Sequence, residues 1–219
     1  MLSDTLARVS VYAGVSAEDR RAERRARLLE AGLDLVGSDG WQAAGVRAIC
    51  ARAGLTPRYF YESFENREAL LVAVFDAISE EAATRVVEAV LAAPDEAAAK
   101  SRAAVVAFVD LLEEDPRKAR VMFVEAMGIE ALERRRHEVL RMFARIIREQ
   151  GRDFYGPAPG AERILDTTAF LLAGGLAELL LAWLDGELSS TRDELVEDVS
   201  ALLAATGEAA AAIARGRTA

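Results

Sequence analysis

The sequence predicts an all-α protein in which a three-helix unit with a helix-turn-helix is followed by six further helices. Three observations carry this expectation. About a fifth of the 219 residues are Ala, and 25 of the 27 basic residues are Arg, a composition that favours helix and is poor in the β-branched residues strands prefer. Apolar residues recur at helical spacing in nearly every segment, with no alternating strand pattern and no internal repeat. Hydrophobic residues make up 52% of the chain, enough for one large core or two small ones, which excludes general disorder.

The first helix is expected over 18–37, where Leu28, Ala31, Gly32, Leu35 and Val36 share one face. It stops at Ser38, Asp39 and Gly40. A second, short helix over 46–53 buries Val46, Ile49 and Ala53 and ends at Gly54, which can take positive φ. Thr56 then serves as N-cap, its hydroxyl placed to accept an orphan N–H, and Pro57 takes the first helical position of a third helix over 57–64. Two short helices joined across Gly54, Leu55 and Thr56 make a helix-turn-helix.

After a turn at Glu65 and Asn66, a long helix over 67–91 turns Leu70, Leu71, Val74, Phe75 and Ile78 inward, and Pro94 ends it. Further helices are expected over 95–115, 117–127, 130–151, 161–184 and 191–214. The boundaries that follow are a flexible N-terminal arm at 1–17, the helix-turn-helix domain at 18–65 and a helical domain at 66–219. No linker separates the two domains, so they share the helix that begins at Arg67.

Composition also limits function. The longest apolar region, 169–184, is interrupted by Glu178, so no stretch reaches the ~18 uncharged residues of a membrane span. Asp4, Arg8 and Ser10 break the opening segment, which does not read as a signal peptide, and a cytoplasmic protein is expected. One Cys, Cys50, and one His, His137, cannot assemble a structural zinc site, and no cofactor is expected. No nucleophile with a base, metal cluster or phosphate-binding Gly loop is visible; Gly174 and Gly175 lie mid-helix. An enzyme is not expected.

The net charge of −9 is unevenly placed. Residues 1–70 carry ten Arg against ten acidic residues, so the whole excess of acid lies in 71–219. Arg20, Arg21, Arg24, Arg25 and Arg27 form a basic run on the first helix, suited to phosphates, although a solvated helix face gives the same pattern.

The run Gly45-Val46-Arg47-Ala48-Ile49-Cys50-Ala51-Arg52-Ala53-Gly54-Leu55-Thr56, followed by Phe60-Tyr61-Glu62-Ser63-Phe64-Glu65-Asn66-Arg67-Glu68-Ala69-Leu70-Leu71, resembles the DNA-binding domain of the TetR family of transcriptional regulators. The preceding basic helix and the turn at Asp39, Gly40 and Trp41 fit the same family. Ser63 stands where the family often has His, and Arg67 where it usually has Lys; the second change keeps the charge but alters phosphate geometry.

A helix in a major groove offers its outer face and N-terminal turn, here Pro57, Arg58, Tyr59, Glu62 and Ser63. Arg58 is the candidate guanine reader, and Tyr59 can stack or touch a thymine methyl. Phe60 and Phe64 are expected to anchor the helix in its own core. The resemblance places Tyr61 on a phosphate, with core packing the competing role. Thr56, Arg47 and Arg67 sit near helix N-termini, where phosphate is favoured, and Arg24 and Arg25 complete the candidate DNA-binding set.

For the second domain the resemblance implies a small-molecule pocket and a dimer interface in the last two helices. Expected pocket residues are Phe108, Met122, Phe123, Glu125, Met127, Met142, Phe143, Phe170 and Trp183, with ordinary core packing the alternative for most of them and Glu125 either orienting a ligand or forming a surface salt bridge. The expected dimer interface comprises Ala173, Gly174, Ala177, Leu181, Leu195, Val199 and Leu202; a buried helix in a monomer is the alternative. The implied function is a repressor that binds a palindromic double-stranded DNA operator as a homodimer and is released by a small-molecule effector. A helical protein-interaction module without DNA binding is the alternative, which would suit the acidic charge.

Overall fold

The computed structural model describes residues 16–126, 129–156 and 162–216, and the described residues contain helices and no strand. The expected arm at 1–17 therefore lies almost wholly outside the described residues, as does Met127. Helix α1 spans Ala17–Asp39 and opens with a capping box: Ser16 Oγ accepts the Asp19 N–H at 2.9 Å, and Asp19 Oδ2 accepts the Ser16 N–H at 3.0 Å. Those two bonds hold the Asp19 carboxyl below its ordinary range. The helix runs through Gly37, where the chain at Arg117 passes so close that a Cβ would lie 2.4 Å from Arg117 Cβ.

Helix α2 spans Val46–Ala53 and α3 spans Pro57–Tyr61. Between them Gly54 sits at φ 63° and ψ 38°, the left-handed conformation expected at that turn. Regular helix ends at Tyr61 rather than 64, although the Phe64 N–H still reaches the Phe60 carbonyl at 2.8 Å. Thr56 does not cap with its hydroxyl, contrary to expectation. Pro57 has no N–H to offer, and the Tyr59 N–H is taken by the Thr56 backbone carbonyl at 3.0 Å.

Helix α4, Arg67–Ala92, starts at Asn66, whose side chain accepts the Ala69 N–H at 2.8 Å. Then follow α5, Ala97–Glu114, and the single turn α6, Pro116–Ala119. The helix expected over 117–127 divides here, because Arg120–Glu125 is a π-helical segment. Its wide turn buries Val121, Met122 and Phe123 while Arg120 and Glu125 stay on the other side. Helices α7, Glu130–Tyr155, α8, Glu162–Leu184, and α9, Arg192–Gly216, complete the chain.

One apolar core runs through both expected domains, from Leu28, Ile49 and Phe60 through Phe75 of α4 to Phe123 and Val196. Helix α4 carries Leu70 and Leu71 against α1 and presents Phe75 further along to the larger bundle. α8 differs from the other helices. Its mean hydropathy reaches 1.7 over 18 residues, yet only 17% of that stretch is buried within the protomer. By length and composition alone it could cross a membrane, which the criterion of uncharged residues missed; in the fold it lies between α7 and α9.

Candidate DNA-binding surface and effector cavity

The surface of α3 follows from its two buried aromatic rings. Phe60 and Phe64 sink into the core with centroids 5.8 Å apart, and this fixes which residues face outward. Pro57, Arg58 and Glu62 are exposed, as is Tyr61, at 62%, so Tyr61 is a surface residue and not a core ring. The Arg58 side chain is 84% exposed and its Nε donates to Glu62 Oε1 at 3.2 Å.

The basic run of α1 is joined to this helix. Arg24 lies 4.5 Å from the Tyr59 ring centroid and 3.8 Å from Glu62 Oε2, and Arg25 lies 4.9 Å from the Phe64 ring. Arg27 donates to the Ala53 carbonyl at 2.6 Å and the Gly54 carbonyl at 3.3 Å, which holds the helix-turn-helix corner onto α1. Arg47 is exposed at the start of α2. Arg67, at the start of α4, stacks 4.2 Å from the Trp41 ring. Thr56 is exposed at the entry to α3 with its hydroxyl outside the cap.

In the larger bundle α4, α5, α7, α8, α9 and the π-helical segment enclose a cavity of about 160 Å³ walled almost wholly by apolar side chains. Phe108, Phe123 and Phe143 line it, with the Phe108 and Phe143 rings edge to face at 5.9 Å. Met122 lines it too. Phe75 does as well and was missed; as part of a regular helical stripe on α4 it carried no sequence signal that set it apart. Among the described residues Arg136 is its one charged wall residue, and it hydrogen-bonds Glu178 of α8.

The other expected pocket residues are elsewhere. Phe170 is 57% exposed on α8, and Trp183 donates its indole N–H to the Ser190 carbonyl at 3.0 Å. Glu125 faces away from the cavity: its two oxygens accept from Arg120 Nε and the Trp41 N–H, each at 3.2 Å.

Among the expected interface residues, Ala173, Ala177, Leu195 and Val199 line the cavity from inside the protomer, and Leu181 packs on the core. Gly174 is half-buried. Leu202 is exposed, as are Phe170 and Leu171 of α8 and Ile213 of α9, which the sequence had not assigned to the interface.

Polar contacts span the two parts of the molecule. Asp34 of α1 pairs with both Arg52 of α2 and Arg117 of α6, the latter at 3.4 Å. Arg117 also binds Asp115, at 2.7 Å, which lowers the Asp115 carboxyl and raises the guanidinium. Arg120 reaches the Ser38 carbonyl at 2.9 Å.

These features define a helix-turn-helix domain built onto a larger helical domain that holds an apolar cavity. Residues 28–74 match the model of bacterial regulatory proteins of the tetR family. The described fold is shared with solved regulators. The fatty acid degradation regulator FadR from Bacillus halodurans superposes with a TM-score of 0.68 at 20% identity, over 83% of this chain and 94% of that one. FadR from Bacillus subtilis, solved in complex with stearoyl-CoA, gives 0.64 at 18% identity over 85% and 97%. A tetR-family transcriptional regulator from Streptomyces coelicolor gives 0.67 at 19% over 88% and 83%. No curated protein sequence matches the chain. Residues 28–74, which contain the helix-turn-helix, are thus similar to the tetR family, and the chain shares its fold with these solved regulators.

Proposed function

We propose that this protein is a transcriptional repressor that binds a palindromic operator as a homodimer and is released by an apolar small molecule. The observation that carries the proposal is the α3 surface, where a largely exposed Arg58 stands beside exposed Tyr61 on a helix anchored by buried Phe60 and Phe64. Anchored rings fix the helix, and a fixed helix can hold Arg58 toward a base edge in the major groove. Arg24, Arg25, Arg47, Thr56, Tyr61 and Arg67 are assigned to phosphates around it. Glu62, which holds Arg58 and Arg24 in the free protein, must release them as DNA enters.

Dimerisation is supported by α8 and α9. An apolar helix with Phe170 and Leu171 exposed, beside Leu202 and Ile213 of α9, leaves a surface that a second copy would cover isologously. The cavity supports an effector with an apolar body, and the Bacillus subtilis regulator of the same fold, solved in complex with stearoyl-CoA, is consistent with it. A gel shift with DNA from upstream of the protein's own coding sequence tests the proposal. Retardation of that DNA, and not of a scrambled duplex, is expected. Failure to retard either duplex at low salt contradicts it and favours a helical interaction module.

A further inference from the structure

A second cavity abuts the first. It has a volume of about 170 Å³, and Val86, Ala104, Ile146, Ile147 and Leu203 wall both spaces, so together they form one elongated apolar chamber. Each half is of the order of the ~150 Å³ apolar cavity that stays dry and accepts benzene. The two halves differ in charge. Among the described residues the second is lined by Lys100 of α5 and Arg148 of α7 and by no carboxylate.

The three cations of the chamber are not equivalent. Arg136, in the first half, already donates to Glu178. Arg148 Nε is buried and makes no hydrogen bond; Asp166 Oδ1 stands 3.0 Å away, outside hydrogen-bonding geometry. Lys100 stands 3.4 Å from Asp95 and 5.9 Å from the Phe154 ring. The Arg148 side chain as a whole is 38% exposed, so it sits where the second cavity meets solvent. Tyr155 lines the same half, and burial raises its phenol above the ordinary value, which keeps it a neutral O–H donor.

We infer that the effector is an unbranched alkyl chain ending in an anionic group, with the chain threaded through both cavities and the anion held by Arg148 and Lys100. The inference rests on the effector site proposed above and adds to it the ligand class and its orientation. An apolar chamber stabilises the tail in proportion to its buried methylenes. A buried guanidinium N–H lacking a hydrogen bond is completed by a carboxylate or phosphate oxygen.

Calorimetric titration of the full chain with straight-chain carboxylates from hexanoate to tetradecanoate, and with the matching alcohols, tests this. Affinity is expected to tighten about fourfold per added methylene (about 0.8 kcal/mol) until the chamber is full. Decanoate should bind more tightly than decanol, and Arg148→Gln should weaken decanoate about tenfold while leaving decanol unchanged. The decanol arm also reports that the variant is folded, and Lys100→Met provides an independent second variant. Equal binding of acid and alcohol, indifferent to Arg148→Gln, overturns the anionic head while the apolar effector site stands. Binding by neither series overturns the inference and the effector site together; the gel shift on the same preparation still decides DNA binding.

Discussion

Glu125 and Trp41, 84 residues apart, are joined by a hydrogen bond of 3.2 Å from the Trp41 N–H to Glu125 Oε2. Trp41 in turn supports Arg67 at the foot of α4, and the segment that carries Glu125 also presents Met122 and Phe123 to the cavity. One π-helical turn therefore touches the cavity on one side and the helix-turn-helix domain on the other. A ligand that displaces Phe123 has a route to α1 and α4 within a few residues. Such coupling acts only if the ligand prefers one of two arrangements, and it is reciprocal.

Glu125→Ala leaves the Trp41 N–H and Arg120 Nε without their acceptor. A loss of about 1–3 kcal/mol is expected, read as a fall in Tm of about 2–4 °C per kcal/mol. Glu125→Gln keeps an acceptor for Trp41 and should retain most of the stability. Equal Tm values for the wild type and Glu125→Ala would show that the contact contributes nothing.

Arg24 and Arg25 are predicted to set the salt dependence of DNA affinity. Each phosphate neutralised adds ~0.9 to the magnitude of the log-log slope, so removing both should flatten it by up to ~1.8. Arg24→Ala should also loosen α3, because Arg24 packs on Tyr59 and reaches Glu62. An unchanged slope would mark the basic run as a solvated face.

Asp115 gives a pH prediction. Arg117 holds its carboxyl below the ordinary value of 3.8, so the folded state binds a proton less readily than the unfolded chain. The resulting stability is fully present above that value and is lost as pH falls through the lower, folded-state one. Asp115→Asn retains a capping side chain for α6 but removes the charge. Its urea midpoint should therefore vary less with pH than that of the wild type between about pH 5 and pH 2. Parallel curves for the two proteins would remove Asp115 from the acid response.

Phe170→Glu combined with Leu202→Glu should convert the proposed dimer to a monomer in analytical ultracentrifugation, with helical content unchanged. Both residues are exposed in the protomer, so their replacement leaves the internal core intact. A palindromic site would then be bound more weakly than by the wild type. A variant that still sediments as a dimer would place the interface elsewhere.

Most of the fold was legible from local signals: apolar spacing, Gly54 at a left-handed corner, and Pro57 at a helix start all act within a few residues. The N-terminal surface was legible for the same reason, since Phe60 and Phe64 at i and i+4 dictate where Arg58 points. Thr56 misled because a backbone carbonyl competed for the N–H that its hydroxyl was expected to accept. Phe170 misled for a different reason, and of the two readings of Glu125 only the salt bridge matches its contact with Arg120. Whether a side chain on a largely apolar helix faces a cavity, a loop or solvent depends on partners far away in sequence, such as Trp41, or on a second copy. The π-helical turn was not foreseeable from spacing, and it rotates Glu125 away from Phe123.

The central claim, that α3 reads DNA through Arg58, is tested most directly by fluorescence anisotropy of the wild type and Arg58→Ala on upstream and scrambled duplexes at fixed salt. The wild type should bind the upstream duplex at least ~10³-fold more tightly than the scrambled one. Arg58→Ala should lose about 1–3 kcal/mol on the upstream duplex and almost nothing on the scrambled one. Equal losses on both duplexes, or a wild type that does not distinguish them, would contradict it.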